Sequence, residues 1–365
     1  MKKVKIGIIG CGGIANGKHM PAYKALADQA EMVAFCDIIE ERALKAKKDY
    51  GDKNSKTYTD YRELLKDKEI DMVCVCTPNI SHSEITVAAL DAGKHVMCEK
   101  PMAINYEEAK KMIDAKNRSG KLLTIGYQNR YRAEVRYLKE EAENGTFGDI
   151  YFARAKAVRR RAVPTWGVFL DEEKQGGGPL IDIGTHSLDI TLYVMNNYKP
   201  KYAVGTTYHK LNNDTKTGNI WGDWDPEKFT VEDSAFGFVV MENGATVSVD
   251  ASWALNYANP GEAQTLICGT KAGADMEVDG TKLRINGVKN GRQYIAVPDF
   301  SAGAVDFFEG NADLSKPHVY EAQVFLNAIN GKGKLVVEPE QAIVVTRILD
   351  AIYLSAKTGK PVYFD

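Results

Sequence analysis

Asp182 and His186 stand four residues apart, a spacing that on a helix stacks two side chains on one face. A carboxylate and an imidazole so placed suit two chemistries. They can supply two ligands of a metal site, or the carboxylate can orient a hydroxyl or the imidazole while the imidazole moves a proton. A catalytic zinc usually takes three protein ligands. The six cysteines form no C-x-x-C pair and no zinc-like spacing that would complete the set. The acid–base reading therefore leads, with no metal expected. Lys100, between Glu99 and Pro101, is a third candidate, because an ammonium beside a reacting oxygen stabilises developing alkoxide charge. His186 is the expected base, since imidazole titrates at about pH 6.5. Lys100 is the alternative, since burial near another positive charge lowers a lysine pKa.

Two different patterns must position these groups. Gly176-Gly177-Gly178 breaks regular structure and Pro179 suits a first helical turn, while Leu180, Ile181, Ile183, Leu188 and Ile190 give the following helix its apolar side. Lys100 belongs to an earlier pattern. The β-rich run Val4–Ile9 leads into Gly10-Cys11-Gly12-Gly13-Ile14-Ala15, a G-x-G-x-x-A match to the dinucleotide fingerprint. A second apolar strand, Met32–Cys36, ends in Asp37, at about the 20-residue spacing expected of the acid that binds the adenine ribose. A carboxylate there accepts both ribose hydroxyls and repels a 2′-phosphate. Ile38-Ile39 bring no compensating cation, so the expected cofactor is NAD rather than NADP.

The alternation continues with helices over 40–50, 60–65 and 105–118 and strands over 70–76, 94–98 and 122–126. Ligands of parallel sheets bind beyond the carboxyl ends of the strands. That rule places Thr77-Pro78-Asn79 and Glu99-Lys100 at the cofactor crevice. Ser81-His82-Ser83-Glu84 has capping-box spacing, and His82 reads either as a helix-start residue or as a contact to bound ligand. Tyr127, Gln128, Arg130 and Tyr131 follow the last parallel strand at the hinge into a helix reaching about Asn144. Their polarity suits either a linker or donors to cofactor and substrate.

Length and composition bound the rest. At 365 residues the chain is long enough for two domains. A net charge of −2 gives no field favouring nucleic acid or anionic membrane. Lys2-Lys3 and the following isoleucines imitate an export signal, but Lys5 interrupts the run, which falls short of the roughly 7–15 apolar residues of an export core. With cysteine usage of a reducing compartment and no membrane-length apolar run, the expected location is the cytoplasm. The second half reads as a strand over 150–158 and an antiparallel meander over about 202–297, including a turn at Asp279-Gly280. A loop over 211–229 carries Trp221 and Trp224, and helices over 320–330 and 338–356 close the chain. Arg159-Arg160-Arg161, taken as strand, alternates so that Arg160 faces away from its neighbours. Those arginines read as anion binders or as solvated, ion-paired charges.

These pieces in this order resemble the glucose–fructose oxidoreductase / inositol 2-dehydrogenase / MocA family. The fingerprint, Thr77-Pro78-Asn79 with His82, Glu99-Lys100-Pro101 and Asp182…His186 carry the resemblance over residues 4 to about 196. It implies an α/β fold, with an N-terminal Rossmann domain (1–126) and a C-terminal α+β domain (127–365) built on an open, mostly antiparallel sheet. It also implies catalysis by Lys100, Asp182 and His186 around a reacting carbinol. Gly10, Gly12, Gly13, Ile14, Ala15, Asp37, Thr77, Pro78, Asn79, His82, Glu99, Lys100 and Gln128 are the residues expected to hold NAD. Arg159-Arg160-Arg161, Pro164 and Trp166-Gly167 resemble members acting on pyranose sugars and glycosides, so Tyr127, Arg130, Arg160 and Trp166 join the expected substrate contacts. The implied activity is oxidation of a secondary hydroxyl of a sugar or glycoside. The alternatives are an inositol or polyol dehydrogenase, a redox-neutral enzyme retaining its NAD, and a non-enzymatic NAD-binding regulator. The free face of the sheet implies a homodimer or homotetramer.

Overall fold

Short and almost wholly apolar runs build the first sheet of the computed structural model, which describes residues 3–214, 216, 218–276, 283–300 and 316–364. Its strands are β1 (Val4–Ile9), β2 (Ala30–Cys36), β3 (Lys56–Tyr58), β4 (Met72–Val75), β5 (His95–Cys98) and β6 (Leu123–Ile125). They lie in the order β3-β2-β1-β4-β5-β6, all parallel. This is the doubly wound order, with its reversal at β1 and β4. Helices Glu40–Tyr50, Tyr61–Leu65, His82–Asp91 and Tyr106–Ser119 connect the strands. Two of them start where the sequence supplies a cap. Asp60 accepts from the Arg62 N–H and Asn105 from the Glu108 N–H. The expected capping box at Ser81 is not formed. A 3-10 turn over Asn79–Ser81 precedes that helix, the Ser81 hydroxyl bonds the Pro78 carbonyl, and Glu84 instead accepts from Tyr61 and Arg62.

The chain divides into two units, Met1–Arg132 with Asp306–Ile343, and Ala133–Val305 with Val344–Asp365. The sequence expectation of one boundary near residue 126 omits that return. Its cause is apolar packing: Val319, Ala322, Phe325 and Leu326 of the helix Pro317–Ile329 share a core with Ile6, Ile8, Met20, Tyr23 and Met72. In the first unit the Thr124 hydroxyl also bonds the Val337 carbonyl.

The second unit holds β7 (Ile150–Val158), β8 (Pro200–Tyr208), β9 (Ser234–Met241), β10 (Thr246–Ser252), β11 (Gly261–Gly269), β12 (Ala272–Met276), β13 (Leu283–Lys289), β14 (Arg292–Ala296) and β15 (Val362–Tyr363). The order is β14-β13-β12-β11-β7-β10-β9-β8-β15, with β7 and β10 the parallel pair in an otherwise antiparallel sheet. The expected turn at Asp279-Gly280 lies outside the described residues. One face is covered. Ile352 fills the space left by Gly205 and Gly237, and Ser187 of the helix Thr185–Met195 bonds the Lys156 carbonyl. Among the described residues no helix is long and apolar enough to cross a membrane.

Candidate active site

In the first unit, the turn after β1 is shaped by Gly10. Its φ is 91°, its N–H bonds the Cys36 carbonyl, and a Cβ there would lie 2.6 Å from the Cys76 carbonyl oxygen. Gly12 and Gly13 open onto empty space, with nothing within 4 Å of where a Cβ would stand. Ala15 is fully buried, so the fingerprint's third small residue serves close packing. Ile14 and Ala15 lead into Ala15–His19, wound as a π-helical turn and continued by the helix Met20–Ala25. Asp37 closes over the loop: Oδ2 accepts from the Cys11 N–H at 2.8 Å and Oδ1 from the Ile39 N–H at 2.9 Å. The Thr77 hydroxyl, at the carboxyl end of β4, is buried and has no hydrogen-bond partner. An open glycine cradle at a helix start, a fixed carboxylate and an orphaned hydroxyl at the switch point fit a dinucleotide.

Four expected contact residues are buried. Glu99 turns inward, its Oε1 on His19 Nε2 at 2.6 Å and its Oε2 accepting from the Lys100 N–H at 3.0 Å. Burial would raise its pKa, but His19 and Lys100 hold it down at about 2. Glu99 thus fixes the backbone of Lys100 and is itself buried. Both ring nitrogens of buried His82 face carbonyls, Nδ1 that of Pro101 and Nε2 that of Thr77, and burial pushes its pKa down. It ties the Thr77 and Pro101 segments together. Arg130 and Tyr127 are fully buried. Arg130 Nη1 bonds the Val336 carbonyl and Gln341, both within the first unit. Gln128 accepts from Lys18 of the fingerprint helix at 2.7 Å, while Lys100 and Asn79 are partly exposed and Pro78 exposed.

In the second unit Asp182 and His186 lie on one continuous helical run, but its start is a π-helical turn, Leu180–Gly184. A step of four residues overshoots an α turn of about 3.6 residues and falls short of the wider π turn. With the mixed winding, a step of four residues is close to one full turn. Asp182 is 8% exposed and its Oδ2 accepts from the buried Trp253 indole at 3.1 Å. The Arg159 guanidinium feels its charge. The sequence reading missed Trp253. It also missed Glu232, whose carboxylate accepts from the Gly178 and Leu180 N–H groups and the Tyr353 hydroxyl at 2.8–3.1 Å, capping the helix from the segment just before β9. No local signal marks either residue, because each comes from a segment far along the chain, Glu232 just before β9 and Trp253 just after β10.

The arginine run also differs from expectation. β7 ends at Val158, so strand alternation does not apply. Arg159 forms a paired bridge to Glu262, Arg161 bonds Asn256, and the Arg160 side chain is exposed. Trp166 and Trp221 are exposed and meet edge to face at 4.8 Å, whereas Trp224 is buried, with its indole on the Asn212 carbonyl.

Residues 4–127 match the family described as oxidoreductase family, NAD-binding Rossmann fold, and residues 135–275 match the GFO/IDH/MocA C-terminal domain. The chain belongs to the GFO/IDH/MocA oxidoreductase family. It is 34% identical over 356 residues, 98% of this chain and 96% of the other, to D-glucoside 3-dehydrogenase of Escherichia coli K12. To levoglucosan dehydrogenase of Pseudarthrobacter phenanthrenivorans it is 30% identical over 268 residues, 69% of this chain and 68% of that one. A levoglucosan dehydrogenase structure in complex with NADH and levoglucosan superposes with a TM-score of 0.85 over 99% of both chains at 22% identity, which establishes the shared fold. As in other GFO/IDH/MocA oxidoreductases, the N-terminal fold of this chain is an NAD-binding Rossmann domain.

Proposed function

We propose that this protein is an NAD-dependent dehydrogenase that oxidises a secondary hydroxyl of a sugar or glycoside, with C3 of a pyranoside as the reacting position. The observation that carries this reading is Asp182. It is a nearly buried carboxylate fixed by an indole one turn from His186, in a chain 34% identical over nearly its whole length to a D-glucoside 3-dehydrogenase. An alcohol is a weak acid and needs a base within hydrogen-bond reach. His186 takes the hydroxyl proton, Asp182 orients the hydroxyl and the ring, and the Lys100 ammonium stabilises charge on the oxygen. NAD, when bound, accepts the hydride from carbon. Gly10, Gly12, Gly13, Ile14, Ala15 and Asp37 would hold it, together with Thr77, Pro78, Asn79 and Gln128. An inositol or polyol substrate is the second reading, supported by 34% identity over 192 residues, about half of each chain, to myo-inositol 2-dehydrogenase of Thermotoga maritima.

The open face of the second sheet is read as a surface that pairs with another copy of the chain. The six cysteines are free, five of them buried, which supports a reducing, cytoplasmic setting.

The test is NAD+ reduction with methyl glucosides, glucose, levoglucosan and inositols, with products assigned by NMR. NAD+ should outperform NADP+. His186→Ala and Lys100→Ala should each lower kcat by about 10²-fold or more, while NADH still binds by fluorescence titration. Turnover near wild type in either variant would remove that residue from the reaction.

A further inference from the structure

Two large indoles on the second unit stand in solvent yet are held rigidly. Trp166 is 51% exposed and Trp221 40%, and they meet edge to face with ring centroids 4.8 Å apart. The loop bearing Trp221 is stitched to residues 161–165. The Asn219 side chain accepts from the Val163 N–H at 2.8 Å and donates to the Val163 carbonyl at 3.0 Å. The Thr165 hydroxyl donates to the Trp221 carbonyl at 2.8 Å, and the Arg159 guanidinium lies 5.3 Å from the Trp221 ring centroid. Exposed apolar area that is already ordered gains from burial without a further ordering cost.

The pair is also connected to Asp182. Its Oδ2 bonds the Trp253 indole, Trp253 meets Phe169 at 6.5 Å, and Phe169 meets Trp166 at 5.8 Å. On the other side, Arg159 lies over Trp221 and within the field of Asp182. Beside Trp166 opens a cavity of about 560 Å³ whose charged lining comprises Asp171, Asp223, Asp225, Lys174 and Lys228. Both lysines are ion-paired there, Lys174 with Asp171 and Lys228 with Asp225. Three carboxylates against two paired ammoniums disfavour an anion. The lining therefore argues against a phosphate on the bound group.

We propose that Trp166 and Trp221 form a stacking subsite for a second ring attached to the oxidised sugar. The substrate class is then a neutral glycoside whose aglycone presents a flat apolar face, an aryl group or another pyranose, and not a phosphorylated hexose. This rests on the dehydrogenase reading above. Stacking against an indole face uses the same preferences that order aromatic pairs.

The test compares kcat/KM for methyl β-glucoside, phenyl β-glucoside and cellobiose with NAD+ in the wild type, Trp221→Ala, Trp166→Ala and Trp221→Phe. In the alanine variants the ratio of kcat/KM for a ring-bearing substrate to that for methyl glucoside should fall about tenfold, chiefly through KM. Trp221→Phe, which keeps a ring, should retain most of the ratio. The phenyl and cellobiose arms distinguish an aromatic from a sugar aglycone. An unchanged ratio in both alanine variants overturns the subsite. If the wild type oxidises none of the three, the dehydrogenase reading fails instead. Calorimetric binding of phenyl glucoside and cellobiose then decides the subsite: binding weakened in Trp221→Ala supports it, and absent or unaltered binding overturns it.

Discussion

Glu321 is a carboxyl group of the first unit whose ionisation burial opposes. It is 2% exposed and its Oε1 has no hydrogen-bond partner. Burial, with Glu99 and Cys74 adding and His19 and Lys18 opposing, raises its pKa from 4.5 to about 8. The sign of the effect follows from linkage. In the unfolded chain Glu321 ionises near 4.5, while the folded protein keeps the proton until about 8. Folding stability is therefore fullest below the lower value, falls as pH rises between the two, and is flat above the upper one. Glu321→Gln stays neutral and lacks this slope. Between pH 5.5 and 8.5 the wild type should lose more than about 1 kcal/mol relative to the variant, read by urea unfolding at each pH. Equal slopes would mean that Glu321 is ionised in the folded protein. The same neighbourhood contains a grouping that linear spacing hid. A ligand atom each of His19, Cys74 and Cys76 lies within 4.8 Å of the others, with the two sulfurs 3.5 Å apart.

The helix bearing Asp182 and His186 shows how an element is fixed from outside itself. Gly176-Gly177-Gly178 reads in the sequence as a break, and the structure shows what each of the last two must clear. A Cβ at Gly177 would run into the Tyr353 hydroxyl, and one at Gly178 into the Glu232 backbone carbonyl. Side chains can swing away, but the Glu232 carbonyl belongs to the strand region that caps the helix. Gly178→Ala should therefore destabilise the protein by about 1–3 kcal/mol and lower kcat by displacing Asp182. Chemical denaturation measures the first effect and initial rates the second. Wild-type stability would mean that the loop moves aside freely. The expected helix was legible here because proline, glycine and apolar spacing are local signals. Its π-helical turn was not, because that winding answers to the packing of neighbouring elements.

At the scale of the molecule, the nine-stranded sheet presents one face that, among the described residues, no helix of its own unit covers. Strand register places Phe236, Phe238, Val240, Tyr202 and Val204 on it together, and Phe238 and Tyr363 are exposed. A second copy of the chain offers the same apolar patch and would bury it. Light scattering at micromolar concentration should give at least a dimer mass. Phe238→Arg should shift it toward the monomer while leaving the circular dichroism spectrum unchanged. A monomer mass for the wild type would refute the pairing.

The sequence by itself determined the parts whose physics is local or strictly periodic. The glycine fingerprint, the acid ending β2, the alternation of buried strands with helices, and Asp182 four residues before His186 were all readable because turn geometry and helical spacing act over a few residues. The tertiary structure alone decided which polar groups stay accessible and which are consumed inside. Glu99, His82, Arg130 and Tyr127 look as available in the sequence as Lys100, yet each is buried, and bonds to His19, Thr77, Pro101, Val336 and Gln341 hold the first three in place. It alone recruited Trp253 and Glu232 to the Asp182 helix, and returned the helix Pro317–Ile329 to the first core. Burial and partnership depend on segments far apart in the chain, and a buried polar group takes whichever partner the fold brings within reach.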